Sequence, residues 1–508
     1  MSDLKDSDSP FIQKPATPSA PSRTFLQNTL ALLTGSGAAQ IMRVVMVPII
    51  ARLFPPAALG IAQTFSAIGK TSAVAATLRY EDSIQLPESD EDALRQLLIT
   101  LLFTAGNSIV LIGVAFFLRT PISQFLNAPP LERLLLWLPL FVFLRGSFLA
   151  LREWHIRQQH YTRIASAIAA ESILWDASAL GFGLAGHASS AALAGAQMIG
   201  QAAASGMIAF PALRILKQVS FTRQDLAEGM RQFRKFPLFN TWSKLLDNAA
   251  LYVPVFLFSA FFSPEIAGQF TLSFNMLQLP FSMAASAAGQ VLYQQASAVN
   301  RQHNLGSTLA ALLSAGSKAA VLPVILISIA GDEIVKAIFG ANWALAGQYA
   351  QILSPWMMFI FLSIMIERIP AVLGKNEYLL VFHGLNALAR TVALLVGSAQ
   401  GNPTISVIAL SISGCLIYGV YILAVGSVSG LPLKNAIRAI ALGLVPAIPA
   451  TIGIAALRFL IAWPTSIRPI AMLIASAAIS AIYYGFLISS EPELRSLILK
   501  FVKKSRKG

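Results

Sequence analysis

Fourteen predominantly apolar stretches, most of them about twenty residues long, take up the greater part of this sequence and leave only short breaks between them. A helix rises about 1.5 Å per residue, so roughly 20 apolar residues cross the hydrocarbon core of a bilayer. The stretches fall near 29–51, 59–78, 96–118, 134–151, 164–185, 191–212, 241–262, 268–292, 310–331, 346–366, 379–398, 404–427, 437–458 and 468–489. Their breaks carry helix-ending residues, as in Phe54-Pro55-Pro56, Ser263-Pro264 and Gly401-Asn402-Pro403. Ser89, with Asp92 three residues on, has the spacing of a capping box that opens the third helix. Composition agrees, since 56% of the 508 residues are hydrophobic and 12% charged, whereas roughly a quarter are charged in soluble proteins. The chain is expected to be an all-α, polytopic integral membrane protein of about 14 transmembrane helices, with no room for a large soluble domain.

Other classes of chemistry find no support. The single cysteine, Cys415, excludes a disulfide framework or a thiolate metal cluster within this chain. His155, His160, His187, His303 and His383 are scattered without ligand spacing, and no metal motif or nucleophile elbow is present. The sequence therefore offers no catalytic residue, metal site or cofactor site.

Lys and Arg accumulate in cytoplasmic loops. With the N-terminus inside, 25 of the 37 fall on the cytoplasmic side and six outside, the last six lying within the apolar stretches. Both termini are thus expected in the cytoplasm. The acidic cluster Glu81, Asp82, Glu88, Asp90, Glu91 and Asp92 reads as a solvated loop, because carboxylates contribute little to orientation. The net charge of +14 points to anionic membrane lipid rather than nucleic acid, with Lys500, Lys503, Lys504, Arg506 and Lys507 placed on the inner-leaflet surface. Residues 1–24 are polar and rich in Ser, Pro and Asp, as in a disordered tail rather than a cleaved leader.

An internal repeat organises the spans. FPPAALG at 54–60 and FSPEIAG at 262–268 share Phe, Pro and Gly at an offset of 208, each at the same place in the topology. Six spans separate them, so both copies run the same way through the membrane, as in parallel repeats. The expected architecture is two pseudo-repeated six-helix lobes plus two C-terminal helices. Its parts are a disordered cytoplasmic tail (1–28), an N-lobe (29–212), a cytoplasmic interfacial linker (213–237), a C-lobe (238–428), helices 13–14 (429–489) and a basic cytoplasmic tail (490–508). In the linker, Leu226, Met230 and Phe233 follow helical spacing amid Arg223, Arg231, Arg234 and Lys235, the pattern of a helix lying in the membrane interface.

The informative residues are charges inside the spans: Arg43, Lys70, Arg145, Lys244, Lys318 and Arg390, against Glu171, Asp176 and Asp247. Each costs roughly 2.5–3.5 kcal/mol at the bilayer centre on insertion scales, so each must face protein or water. Lys244 and Asp247, three residues apart near a helix end, are expected to pair or snorkel, and Arg145 is close enough to its helix end to snorkel or to serve the cavity. Arg43, Lys70, Lys318 and Arg390 lie deeper, with no acid three or four residues away on the same helix. Together they predict a cavity between the lobes that attracts a phosphate or carboxylate. Glu171, Asp176 and Asp247 are the ion-coupling candidates, for a proton or sodium ion, unless the first two simply neutralise Arg43 or Lys70.

Longer stretches resemble a known family. LLTGSGAAQIMRVVMVPIIARLFPPAALG (32–60), ATLRYEDSIQLPESDEDA (76–93), KFPLFNTWSKLLDNAALYVPVFLFSAFFSPEIAGQF (235–270), LQLPFSMAASAAGQVLYQQASA (277–298) and FGANWALAGQYAQILSPWM (339–357) are similar to Wzx-type polysaccharide flippases. These belong to the multidrug/oligosaccharidyl-lipid/polysaccharide exporter superfamily. The resemblance covers about residues 25–400, and Asp82-Ser83 departs from it where relatives carry an apolar pair. It implies two rocking six-helix lobes and an undecaprenyl-diphosphate-linked oligosaccharide as cargo, flipped across the bacterial inner membrane for O-antigen, capsule or exopolysaccharide synthesis. It also implies polymerase and assembly proteins as partners, and Arg43 and Lys70 as cavity cations; Lys318 and Arg390 rest on physics alone.

Two alternatives compete. A membrane polymerase or ligase of the same pathway would carry a large outer loop, whereas the longest here, 119–133 and 332–345, are about fifteen residues. A drug exporter of the same superfamily would present carboxylates to a cationic drug, and cations outnumber acids six to three within the spans.

Overall fold

The computed structural model describes residues 42–216, 222–299, 305–373, 375 and 377–490. The two expected tails and the first part of the first apolar stretch lie outside the described residues. The helices, in chain order, are α1 (42–53), α2 (Pro56–Thr77), α3 (Asp90–Phe125), α4 (Leu131–Arg157), α5 (Tyr161–Leu184), α6 (Ser190–Leu216) and the short α7 (Arg223–Gln232). They continue as α8 (Thr241–Phe261), α9 (Pro264–Val299), α10 (Leu305–Phe339), α11 (Ala344–Ile366), α12 (Glu377–Ala399), α13 (Pro403–Val428), α14 (Leu433–Phe459) and α15 (Arg468–Ser490). No strand occurs among the described residues.

Local chemistry sets the helix starts. Proline, whose missing N–H costs nothing in a first turn, opens α2, α9 and α13. Ser89 caps α3 by accepting from the Asp92 amide at 3.1 Å, as its spacing predicts. Asn402 caps α13 in the same manner, with Thr404 as donor at 2.9 Å.

Ten helices among the described residues are long and apolar enough to cross a bilayer, or eleven if the bent segment 236–261 counts as one span. The expected fourteen are thus not all of that kind. Helix α1 is described over too short a length, and α2 and α9 are long but diluted by polar residues, Gln63 and Lys70 on the one and Gln269, Asn275 and Gln278 on the other. Of these, Gln63, Lys70, Asn275 and Gln278 line the site described below.

Helices α1–α6 form one bundle around clusters centred on Phe65 and Phe141, on Leu97 and Trp154, and on Ile50 and Phe54. Helices α8–α13 form a second around Trp356, Leu353 and Phe361. Helices α14 and α15 pack on α10 through Leu322, Ile454 and Met472, fastened by Tyr483 and Tyr484 hydroxyls donating to the Lys318 and Ala319 carbonyls at 2.7 and 2.8 Å. Arg458 chelates Asp332 with both terminal nitrogens, and Arg468 pairs with Glu333 at 3.4 Å.

The two bundles meet along α2 and α9 in a reciprocal contact. A Cβ at Gly60 would collide with the Pro264 carbonyl, and one at Gly268 with the Pro56 carbonyl. These are equivalent positions at the 208-residue offset, so the repeat legible in the turns places two glycines where the halves touch back to back. For orientation, the end carrying the loops 78–89 and 158–160, where Arg95, Arg152, Arg157 and Arg163 sit on the flanking helix ends, is called the basic face, and the end carrying this contact the far face.

On the basic face, α2 ends in two successive left-handed residues, Leu78 (φ 52°) and Arg79 (φ 57°). Arg79 then grips Glu81 at 3.2 Å and Asp82 at 2.6 Å. Helix α7, boxed at its start by Thr222 and Asp225, docks here: Gly229 abuts Gln96 and Ile99 of α3, and the Tyr80 hydroxyl donates to the Met230 carbonyl at 3.3 Å. Gly229 and the Met230 carbonyl of this helix thus meet protein.

Candidate functional site: a cationic cavity between the bundles

From the glycine contact, α2 and α9 continue toward the basic face, and a cavity lies between the bundles. One compartment of about 340 Å³ runs between α1 and α9, with Arg43, Gln63, Trp175 and Asn275 at its polar end and Val44, Val47, Leu272, Met276 and Leu279 along its walls. A second, of about 240 Å³, shares Gln63 and Asn275 and adds Lys70, Tyr252, Gln278, Trp356 and Arg390. A small third of about 40 Å³ joins Arg43 to Lys70 past Ser66 and Gln197. The repeat is visible in this lining, because Gln63 and Lys70 of α2 correspond at the 208-residue offset to Thr271 and Gln278 of α9.

Three deep cations therefore line the cavity, Arg43 and Lys70 from the first bundle and Arg390 from the second. The Arg43 guanidinium lies over the Trp175 ring, 4.3 Å from its centroid. Arg390 lies over Trp356 at 5.0 Å and approaches the Tyr418 hydroxyl at 3.4 Å. Aromatic faces offset part of the cost of burying a cation, by about 0.5–2 kcal/mol, without neutralising its charge. Among the described residues no carboxylate comes within 4.0 Å of Arg43, Lys70 or Arg390.

The remaining charges are placed otherwise. Arg145 meets Glu171 at 3.9 Å and the Gln201 amide oxygen at 3.2 Å, so these two sit beside the cavity as a loose pair. Lys244 and Asp247 pair at 2.6 Å on one exposed turn of α8. Lys318 is not among the residues that line these three compartments, and its backbone stands against Gly443 of α14 and Tyr483 of α15. Asp176 is buried on α5, and neither carboxyl oxygen has a hydrogen-bond partner. No group of three metal-ligating side chains occurs among the described residues.

Depth and charge alone do not single out the neutral members of the lining, Gln63, Asn275, Gln278, Tyr252 and Trp175, since none is costly in a span. One signal was available: the low apolarity of α2 and α9 relative to the other spans, together with the repeat that maps Lys70 onto Gln278.

The pattern of a family described as polysaccharide biosynthesis protein matches residues 49–347, well over half of the chain and spanning both sides of the cavity. The chain belongs to that family. No curated protein matches its sequence. Among solved structures, it is similar to one described as lipid II flippase MurJ in an inward closed conformation, with a TM-score of 0.67 and 13% identity over 92% of this chain and 99% of that one. It is also similar to an inward-facing multidrug resistance MATE family transporter of the MOP superfamily, with a TM-score of 0.57 and 12% identity over 77% and 96%. This polysaccharide biosynthesis family member thus has a transporter and flippase fold and is a multi-span helical membrane protein.

Proposed function

We propose that the protein is a flippase that moves an undecaprenyl-diphosphate-linked oligosaccharide from the inner to the outer leaflet of the bacterial inner membrane, for surface polysaccharide synthesis. The observation that carries this reading is the set of three cations, contributed by both bundles, which face one cavity with no carboxylate in ion-pair reach among the described residues. A diphosphate supplies the missing negative charge, and guanidinium forks and an ammonium suit its oxygens. Beside Arg43 the slot between α1 and α9 has aliphatic walls, which suit a polyprenyl chain, so head and tail of one lipid find adjoining surfaces. Membership in a polysaccharide biosynthesis family and likeness to a flippase named for a lipid substrate support the same cargo class.

The geometry suits alternating access. The bundles are joined through small residues at the far face, and the cavity lies between that contact and the basic face, which the distribution of Lys and Arg assigns to the cytoplasm. A rocking motion that parts this contact while the bundles close at the basic face, and the reverse, would expose the cations to each leaflet in turn.

The test is substitution at the cavity. Each charge-assisted hydrogen bond contributes about 1.5–3 kcal/mol, so Arg43→Ala, Lys70→Ala and Arg390→Ala should each weaken binding of a polyprenyl diphosphate by roughly tenfold or more. In cells, Arg43→Ala and Lys70→Ala should abolish surface polysaccharide with the protein still in the membrane. Arg43→Lys and Lys70→Arg should restore part of it. Normal glycan output from both alanine variants would overturn the assignment.

A further inference from the structure

Asp176 is the one carboxyl group in the first bundle that the cavity reading leaves unexplained. Its side chain is 4% exposed, and both oxygens are buried without a hydrogen-bond partner. It lies on the face of α5 that continues through Ala179 to Gly183, and Gly183 abuts Leu53 and Phe54 of α1. Helices α1 and α5 thus lie side by side, and roughly two to three turns toward the basic face Arg43 rests over Trp175, the residue next to Asp176. Of the other charged groups on the surrounding elements, Glu171 of α5 is engaged with Arg145 of α4, and Lys70 of α2 lines the cavity. Helix α6, packed along α5, has no ionisable side chain from Ser190 to Leu213. Arg43 is therefore the cation that Asp176 can meet.

A bare carboxylate in this position would be a buried, uncompensated charge, which is stable only when neutralised by a proton or by a partner cation. In the arrangement seen, Arg43 is stacked on Trp175 and faces the cavity, so the proton is the remaining neutraliser. We infer that Asp176 binds a proton whose presence frees Arg43 for the anionic cargo, so that anion binding in this cavity is linked to proton uptake. When the proton leaves, the carboxylate draws Arg43 off the tryptophan ring and away from the phosphate. No bond other than O–H changes, and the proton is exchanged with water on the side to which the cavity is open. This linkage rests on the cavity reading and adds a second ligand to it.

The experiment measures binding of a short-chain polyprenyl diphosphate to detergent-purified full-length protein between about pH 5.5 and 8, with proton uptake read by calorimetry in two buffers of different ionisation enthalpy. Wild type is compared with Asp176→Asn, which mimics the protonated acid, so that titration of the probe itself cancels. Wild type should tighten relative to the variant as pH falls, by at most about tenfold per pH unit for one proton, and should take up more protons per ligand bound. At each pH Asp176→Asn should bind at least as tightly as wild type, the gap being widest at high pH and closing as pH falls. As a second measurement, the fluorescence difference between wild type and Trp175→Phe should titrate in the absence of ligand, and should lose that titration in the Asp176→Asn background. Identical pH dependence and proton uptake in wild type and Asp176→Asn would overturn the linkage alone. Absence of binding by wild type at every pH would overturn the cargo reading and this inference with it.

Discussion

At the scale of single residues, the cost of burying charge decides which positions carry information. Glu81 illustrates the cost outside the spans. It is 1% exposed, one oxygen meets Arg79 at 3.2 Å, and the other has no hydrogen bond. Burial pushes its carboxyl above the usual range, and the nearby Arg79 only partly opposes this. The folded state therefore favours the protonated acid, so this group's contribution is most favourable at low pH and is lost as pH rises from the ordinary carboxylate range through the raised value. Glu81→Gln should flatten the fall in Tm between about pH 5 and 7.5 and leave Tm at pH 7.5 no lower than wild type. A steeper pH dependence in the variant would contradict the assignment. The same reasoning made Arg43, Lys70 and Arg390 legible in the sequence, because a cation in mid-span must be accommodated. It could not separate Lys318 from them, since sequence gives depth along a helix but not which neighbour the helix turns that side toward. Helices α14 and α15, which flank Lys318, carry no pattern that announces where they pack.

At the scale of elements, the least apolar helices turn out to be the ones on which the site is built. Helix α2 carries Gln63 and Lys70 because it lines water-accessible space, and Gly60 because its other end must touch α9 without an intervening side chain. The 208-residue repeat made this pairing legible in outline, through FPPAALG and FSPEIAG, but not the fact that the two copies press on each other. Gly60→Ala and Gly268→Ala each add a Cβ against a backbone carbonyl, which cannot rotate aside as a side chain would. Small-to-large changes in packed interfaces cost about 1–3 kcal/mol, and here the strain falls on the far-face contact rather than on either bundle. Both variants should insert and accumulate normally yet lower polysaccharide output, Gly60→Val more severely than Gly60→Ala. Full activity of Gly60→Val would show that the helices do not need this approach. Gly106, which has open space around its added Cβ, supplies the control, and Gly106→Ala should be neutral.

At the scale of the whole molecule, polar contacts between the bundles gather at the far face. The Trp343 indole donates to the Ala51 carbonyl at 2.7 Å, Arg52 donates to the Ile338 carbonyl at 2.8 Å and to that of Ala337, and the Ser259 hydroxyl donates to the Leu126 carbonyl at 2.6 Å. Arg52 therefore caps the last turn of α10, where helix carbonyls lack partners and the macrodipole is negative. All these acceptors are backbone groups, so the clamp reads helix position rather than side-chain identity, and opening the far face must break it as a unit. Removing a charge-assisted bond costs about 1.5–3 kcal/mol, which shifts a two-state balance by roughly tenfold or more toward the open form. A cysteine at Gln63, placed by Gln63→Cys in a Cys415→Ser background, lies in the cavity below the clamp and reports on that balance. Adding Arg52→Ala with Trp343→Phe should raise its labelling by a membrane-impermeant maleimide applied from the far-face side, severalfold over the same reporter alone. Labelling from the basic-face side, in vesicles of the opposite orientation, should fall in parallel, because the two openings exclude one another. Labelling that rises from both sides at once would point to a leak rather than to alternating access, and unchanged labelling would show that the far face is held shut by the glycine contact alone.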